Sequence, residues 1–207
     1  MDSVPIRQTQ TQTQVLVNSF VRSVYNWMAI GLALTGFVAY YVSNSQTMQN
    51  IIFGNPMVFY GLIIGELVMV FYLSARVNKM QASTATALFV LYAALNGATL
   101  SAVFLAYTKS SITSTFFVCA GTFVAASIYG WTTKKDLTSF GSFLFMGLIG
   151  IIIASVVNLF LKSSGMTMII SYIGVLLFTG LTVYDTPRLK NIALTQPAGL
   201  EAGVVRK

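Results

Sequence analysis

An all-α integral membrane bundle of six transmembrane helices is the fold class this sequence predicts. Three observations carry it. The chain contains six apolar runs, each near the roughly 20-residue length at which a helix crosses the hydrocarbon core of a bilayer. Its 207 residues are 56% hydrophobic and 8% charged, with a mean hydropathy of +0.76, whereas soluble domains carry roughly 25% charged residues. The basic residues gather in alternate connections between the runs, which is the distribution that orients a membrane protein. No polar block is long enough for a separate soluble domain.

Taken in order, residues 1–22 form a polar, cytosolic N-terminal lead that includes the run Gln8-Thr9-Gln10-Thr11-Gln12-Thr13-Gln14. It has no basic stretch running into an apolar core and a small-residue cleavage site, so it does not read as a cleaved signal. Disorder or a surface-lying segment is expected there, with Val15 to Arg22 suited to a short amphipathic helix on the membrane. The transmembrane bundle covers 23–190, with spans at about 23–43, 57–74, 83–107, 112–132, 140–161 and 167–185. The connection from Ser43 to Pro56 carries no charge. Residues 191–207 are a cytosolic C-terminal tail.

Ten cations fall on the amino-terminal side of this map: Arg7, Arg22, Arg76, Lys79, Lys134, Lys135, Arg188, Lys190, Arg206 and Lys207. Two, Lys109 and Lys162, fall on the other. The excess marks the first side as cytosolic, and six spans return the chain to the side it started from. Small residues recur at four-residue spacing, as Ala29/Ala33, Gly61/Gly65, Ala93/Gly97/Ser101, Gly121/Ala125 and Gly150/Ala154. That spacing lets helix backbones approach closely in lipid and favours a tight bundle. Trp27, Tyr40, Tyr41, Trp131 and Tyr184 lie near span ends, where interfacial rings anchor a helix.

Several function classes drop out. With no histidine and a single cysteine, Cys119, there is no disulfide framework and no His- or Cys-based metal site. The net charge of +7 resides in short loops between apolar spans, which argues against a nucleic-acid surface. The signatures GxxxxGK[ST], HExxH and GxSxG are absent, so no enzymatic activity and no required cofactor are expected.

What remains is a handful of polar residues in apolar surroundings. Glu66, near the middle of the second span, must meet a cation, water or polar groups, or stay protonated. A structural hydrogen bond and a functional role are both open for it. Arg76 closes the same span and either turns inward or snorkels to the headgroups. Asn96 in the third span and Asn158 in the fifth suit interhelix glue, or a polar path. Asp136, after Lys134-Lys135, reads as an N-cap of the fifth span. Asp185 ends the last apolar run, just before Pro187, Arg188 and Lys190. A carboxylate at a helix C-terminus opposes the dipole, so capping does not explain it, and an intramembrane acid points to function.

The stretches Trp131-Thr132-Thr133-Lys134-Lys135-Asp136-Leu137-Thr138-Ser139, Ile153-Ala154-Ser155-Val156-Val157-Asn158-Leu159-Phe160 and Thr182-Val183-Tyr184-Asp185-Thr186 together resemble the Bax inhibitor-1 (transmembrane Bax-inhibitor-motif) family, and within it the bacterial inner-membrane members. The resemblance implies a multi-pass protein of the inner (plasma) membrane with a seven-helix bundle and a pH-sensitive calcium leak. A pair of aspartates would sense protons. Asp185 matches the first of them, Arg76 resembles the basic residue that locks onto it, and Glu66 resembles the acid of the second helix. The family's seventh span, with its second aspartate, has no counterpart before the chain closes on Val204-Val205-Arg206-Lys207, so six helices are expected here.

The expected function is a calcium or cation leak channel gated by protonation of an intramembrane carboxylate. Asp185 and Arg76 would form the sensor and gate, Glu66, Asn96 and Asn158 would line the path, and Asp185 and Glu66 would meet Ca²⁺, which favours several oxygen ligands. The alternative is a regulatory membrane protein that binds a membrane protease through the polar N-terminal lead.

Overall fold

The computed structural model describes residues 6–133 and 137–195, and these are helical with short connections and no strand. Seven α-helices follow one another among the described residues: α1 (Ile6–Ser43), α2 (Gln46–Phe53), α3 (Pro56–Arg76), α4 (Ala82–Ala106), α5 (Lys109–Thr132), α6 (Thr138–Leu161) and α7 (Ser164–Thr195). A 3₁₀ turn, Val77–Lys79, links α3 to α4. Helices α3 to α7 each contain a stretch long and apolar enough to cross a membrane. Their surfaces fit that solvent: Phe71, Phe117 and Leu176 are 71%, 69% and 73% exposed, far more apolar surface than a water-soluble monomer tolerates. The remaining predicted span, 23–43, the first in the chain, is helical as the second half of α1. Its hydropathy is diluted by Asn26, Thr35, Tyr40, Tyr41 and two glycines, and it falls outside the set of helices that qualify by composition.

The chain divides into two compact units, one of Arg22–Thr115 and one of Met1–Val21 with Phe116–Lys207. In the first, α4 packs on the second half of α1 through a stripe of small residues. Ala93, Gly97 and Ser101 are the buried residues of α4. A Cβ added at Gly97 would lie 2.5 Å from the Thr35 carbonyl oxygen and 2.8 Å from Val38 Cβ. Glycine is needed there so that the two backbones can touch. The Thr35 hydroxyl crosses to the Ala93 carbonyl at 2.9 Å. Helix α3 starts cleanly because the Asn55 side chain accepts from the Met57 N–H at 3.0 Å and Pro56 occupies the first turn.

In the second unit, α6 and α7 form a hairpin closed by Lys162 and Ser163. Lys162 takes the left-handed conformation at φ 50°, and its N–H bonds to the Asn158 carbonyl at 2.7 Å. Leu177 of α7 packs over Gly147, Leu144 of α6 packs over Gly180, and the Tyr184 ring covers Gly141. Ala126 and Gly130 are the buried residues of α5, and Gly130 faces the backbone of α7: a Cβ there would lie 2.7 Å from the Val183 carbonyl oxygen.

Four expectations change. The N-terminal lead is helical from Ile6 onward and continuous with the first span, because Val17 and Val21, at 4% and 5% exposure, are buried core residues. The uncharged connection 43–56 contains α2, whose first turn is capped by Ser45 accepting from the Met48 N–H. Helix α7 does not stop at Asp185 but runs through Pro187 to Thr195. Of the small-residue pairs, Gly61, Gly65, Gly121 and Gly150 meet nothing within 4 Å of an added Cβ, since a glycine brings helices together only where another helix lies opposite. The capping role of Asp136, the placement of Lys134 and Lys135, the Arg7 side chain and the tail from residue 196 on lie outside the described residues.

Candidate functional site

Glu66 is half-buried on α3, and the Thr99 hydroxyl of α4 donates to its Oε1 at 2.5 Å. This is the polar contact that crosses between the two apolar helices. A carboxyl group among hydrocarbon requires a hydrogen-bonding neighbour, and Thr99 is one for Glu66. Thr99 also lies 3.4 Å from the Leu95 carbonyl, so the side chain sits between its own helix backbone and the acid. Asn96, one residue short of the Gly97 contact, is half-buried and reaches the Tyr92 hydroxyl at 3.5 Å. Arg76 is exposed at the last turn of α3, its guanidinium carbon 6.0 Å from the centroid of the Tyr72 ring. A cation one turn beyond an aromatic face is held there by the ring quadrupole.

In the other unit, Asp185 lies on α7 with an exposed side chain, one turn before Arg188. The residue after it, Thr186, is 3% exposed and donates to the Thr182 carbonyl at 2.9 Å. Then comes Pro187, which has no N–H for the Val183 carbonyl four residues back. That orphaned carbonyl is the one facing Gly130. Because Gly130 has no Cβ, the backbone of α5 approaches this carbonyl more closely than any other residue would allow. Tyr184 is held edge-on to Phe145 with ring centroids 6.4 Å apart. Asp185 is thus an exposed acid on a stretch of helix whose buried side is tightly fixed.

Asn158 serves the α6–α7 turn. Its amide nitrogen donates to Thr167 Oγ1 at 2.8 Å and its oxygen accepts from the Ser163 N–H at 3.0 Å, so both ends of the amide are occupied. Glu66, Asn96 and Arg76 belong to the 22–115 unit, and Asp185 and Asn158 to the other. Among the described residues there is no group of three or more His, Cys, Asp or Glu side chains able to hold a metal ion. Sequence reasoning missed Thr99 and Gly130. Thr99 was discoverable as a hydroxyl in the third span at a depth comparable with Glu66. Gly130 forms a four-residue small pair with Ala126, one register away from the Gly121/Ala125 pair singled out above.

These helices, with acid and amide side chains among apolar spans, define a multi-pass α-helical membrane protein. The chain belongs to the Bax inhibitor-1 family: the family model described as "Inhibitor of apoptosis-promoting Bax1" matches residues 17–202. It is similar to the "Inner membrane protein YbhL" of Escherichia coli (strain K12), 48% identical over 192 residues that cover 93% of this chain and 82% of that protein. A Borreliella burgdorferi protein is 48% identical over 185 residues, 89% of this chain and 80% of its own. A Streptococcus pyogenes membrane protein is 36% identical over 184 residues, with coverage of 88% and 80%. No solved structure gives a significant match.

Proposed function

We propose that this protein is a pH-sensitive leak channel for cations, Ca²⁺ in particular, gated by protonation of Asp185, with Arg76 as the cation that holds the ionised form. The observation that carries the reading is that Glu66 and Asp185 are the two carboxylates within the apolar spans. Acids are costly at such depth and mark ion pathways and proton relays. Carboxylate oxygens supply both the charge and the hard ligands that Ca²⁺ favours, with Asn96 and backbone carbonyls adding neutral oxygens. Family membership supports the same reading. In it, both chain ends are cytosolic. Arg76 and Lys79 lie at the α3–α4 connection, Lys109 opens α5, Lys162 joins α6 to α7, and Arg188 and Lys190 lie in the last turns of α7. From α3 onward two-cation and one-cation connections alternate, and the connection 43–56 carries no cation, the asymmetry that the positive-inside bias predicts.

The test is Ca²⁺ entry into liposomes reported by an entrapped dye, from mildly alkaline to mildly acidic pH. Acid neutralises Asp185, removes its attraction to Arg76 and increases flux in the wild type. Asp185→Asn imitates the neutral form, so this variant is leaky at every pH with a flat profile. A variant as pH-responsive as the wild type would show that Asp185 is not the sensor and would move the test to Glu66.

A further inference from the structure

In the unit formed by 1–21 and 116–207, three helices enclose a cavity of about 240 Å³ lined by Val17 and Asn18 of α1, Trp131 of α5, and Lys190 and Leu194 of α7. Its chemistry is divided. Val17 is 4% exposed and makes an apolar floor, while Leu194 is exposed at the rim. Lys190 Nζ is 5.4 Å from the centroid of the Trp131 ring, so the ring face fixes the ammonium at the wall of the cavity. An ammonium has three donors, and contact with one ring face leaves donors for an anion. Asn18, exposed at the same wall, adds an amide N–H₂. Asp185 is the one carboxylate among the described residues of this unit, and its electrostatic neighbour is Arg188 rather than Lys190.

We propose that this cavity binds the phosphate headgroup of an anionic phospholipid. Lys190 and Asn18 take the phosphate oxygens, and Trp131 with Leu194 meets the glycerol and first acyl carbons. Three features select a lipid. Trp131 lies one residue from the end of the apolar helix α5, the level at which indole rings sit against headgroups. The site combines a cation and an amide with apolar walls, as the boundary between headgroup and acyl chain demands. Its volume is below that of typical small-molecule pockets and suits a phosphate–glycerol moiety whose acyl chains stay in the bilayer. Arg188 lies two residues before Lys190 on the same helix, and Lys134-Lys135 follow Trp131 closely in sequence, so further cations stand near two of the lining residues along the chain, the pattern of anionic-lipid recognition.

Trp131 reports on the site. The chain has two tryptophans, and Trp27 pairs edge-on with Phe89 in the other unit, so Trp27→Phe leaves Trp131 as the lone indole. The full chain carrying that change is placed in phosphatidylcholine nanodiscs doped with brominated phosphatidylglycerol or, at the same fraction, brominated phosphatidylcholine. The expected result is several-fold stronger quenching of Trp131 by the anionic lipid, kept in Lys190→Arg and lost in Lys190→Gln. Equal quenching by the two lipids overturns the proposal, as does a preference that survives Lys190→Gln. If Lys190→Gln does not insert, the parent comparison and Lys190→Arg decide the matter alone. Inorganic phosphate, added in excess, is expected to leave the quenching unchanged. Displacement by phosphate would make this a site for a free anion and would equally overturn the proposal.

Discussion

Replacing Gly130 with alanine tests the contact that fixes the helix bearing Asp185. The new Cβ would lie 2.7 Å from the Val183 carbonyl oxygen and 2.9 Å from Thr186 Cβ. Both atoms belong to a rigid stretch of α7, and the first is backbone, so neither retreats by a rotamer change. Overpacking of this kind costs about 1–3 kcal/mol. Against this, alanine favours the helix over glycine by about 1 kcal/mol. The net is a destabilisation of up to about 2 kcal/mol, or a melting temperature lower by up to roughly 8 °C for a chain of this size. Gly121→Ala on the same helix is the control, because nothing lies within 4 Å of its Cβ, and it is expected to be neutral or stabilising by up to about 1 kcal/mol. The assay is thermal unfolding followed by circular dichroism in one detergent for wild type and both variants. Equal melting of Gly130→Ala and Gly121→Ala would refute the close approach of α5 to α7.

The other expectations concern single side chains and the topology. Thr99→Val removes the donor to Glu66 while keeping the shape, and is expected to destabilise the protein by about 1–3 kcal/mol, with much of the loss absent in a Glu66→Leu background; additive losses in that double-mutant cycle would show the two residues to be uncoupled. Arg76→Ala is expected to raise basal Ca²⁺ leak at neutral pH, whereas unchanged flux with normal insertion would leave the Tyr72 contact as the whole role of Arg76. A reporter active only in the cytosol is expected to give signal when fused after Lys207 and none when inserted after Lys162; the reverse pattern would invert the membrane orientation.

The helices themselves were legible in the sequence because hydropathy acts locally, and each of the six apolar runs is helical. Their ends were less so. Pro187 reads locally as a stop, yet α7 continues through it to Thr195, and the carbonyl it orphans lies at the close approach to Gly130, more than fifty residues away. The Gln/Thr-rich lead reads as polar, yet its helix is tied down by Val17 and Val21, two valines whose burial depends on what lies opposite. The same holds for the small residues: Ala93, Gly97 and Ser101 pack and Gly61, Gly65 do not, although the spacing is identical. For the site, the sequence pointed to Glu66 and Asp185 through the cost of acids in lipid. It could not name Thr99 as the donor, since that requires the register of α3 on α4.

The exposure of Cys119 has a practical consequence. It is the single thiol in the chain, exposed on α5 among outward-facing Phe116, Phe117 and Val118. Ten residues separate it from Lys109, so it lies about 15 Å along a helix roughly 36 Å long, close to the middle of the hydrocarbon layer. A nitroxide attached there needs no cysteine engineering and no background removal. Its relaxation by dissolved oxygen against a water-soluble nickel chelate would read immersion depth directly, and the same probe, followed while the pH is lowered, would show whether α5 shifts or rotates when the acid on α7 takes up its proton.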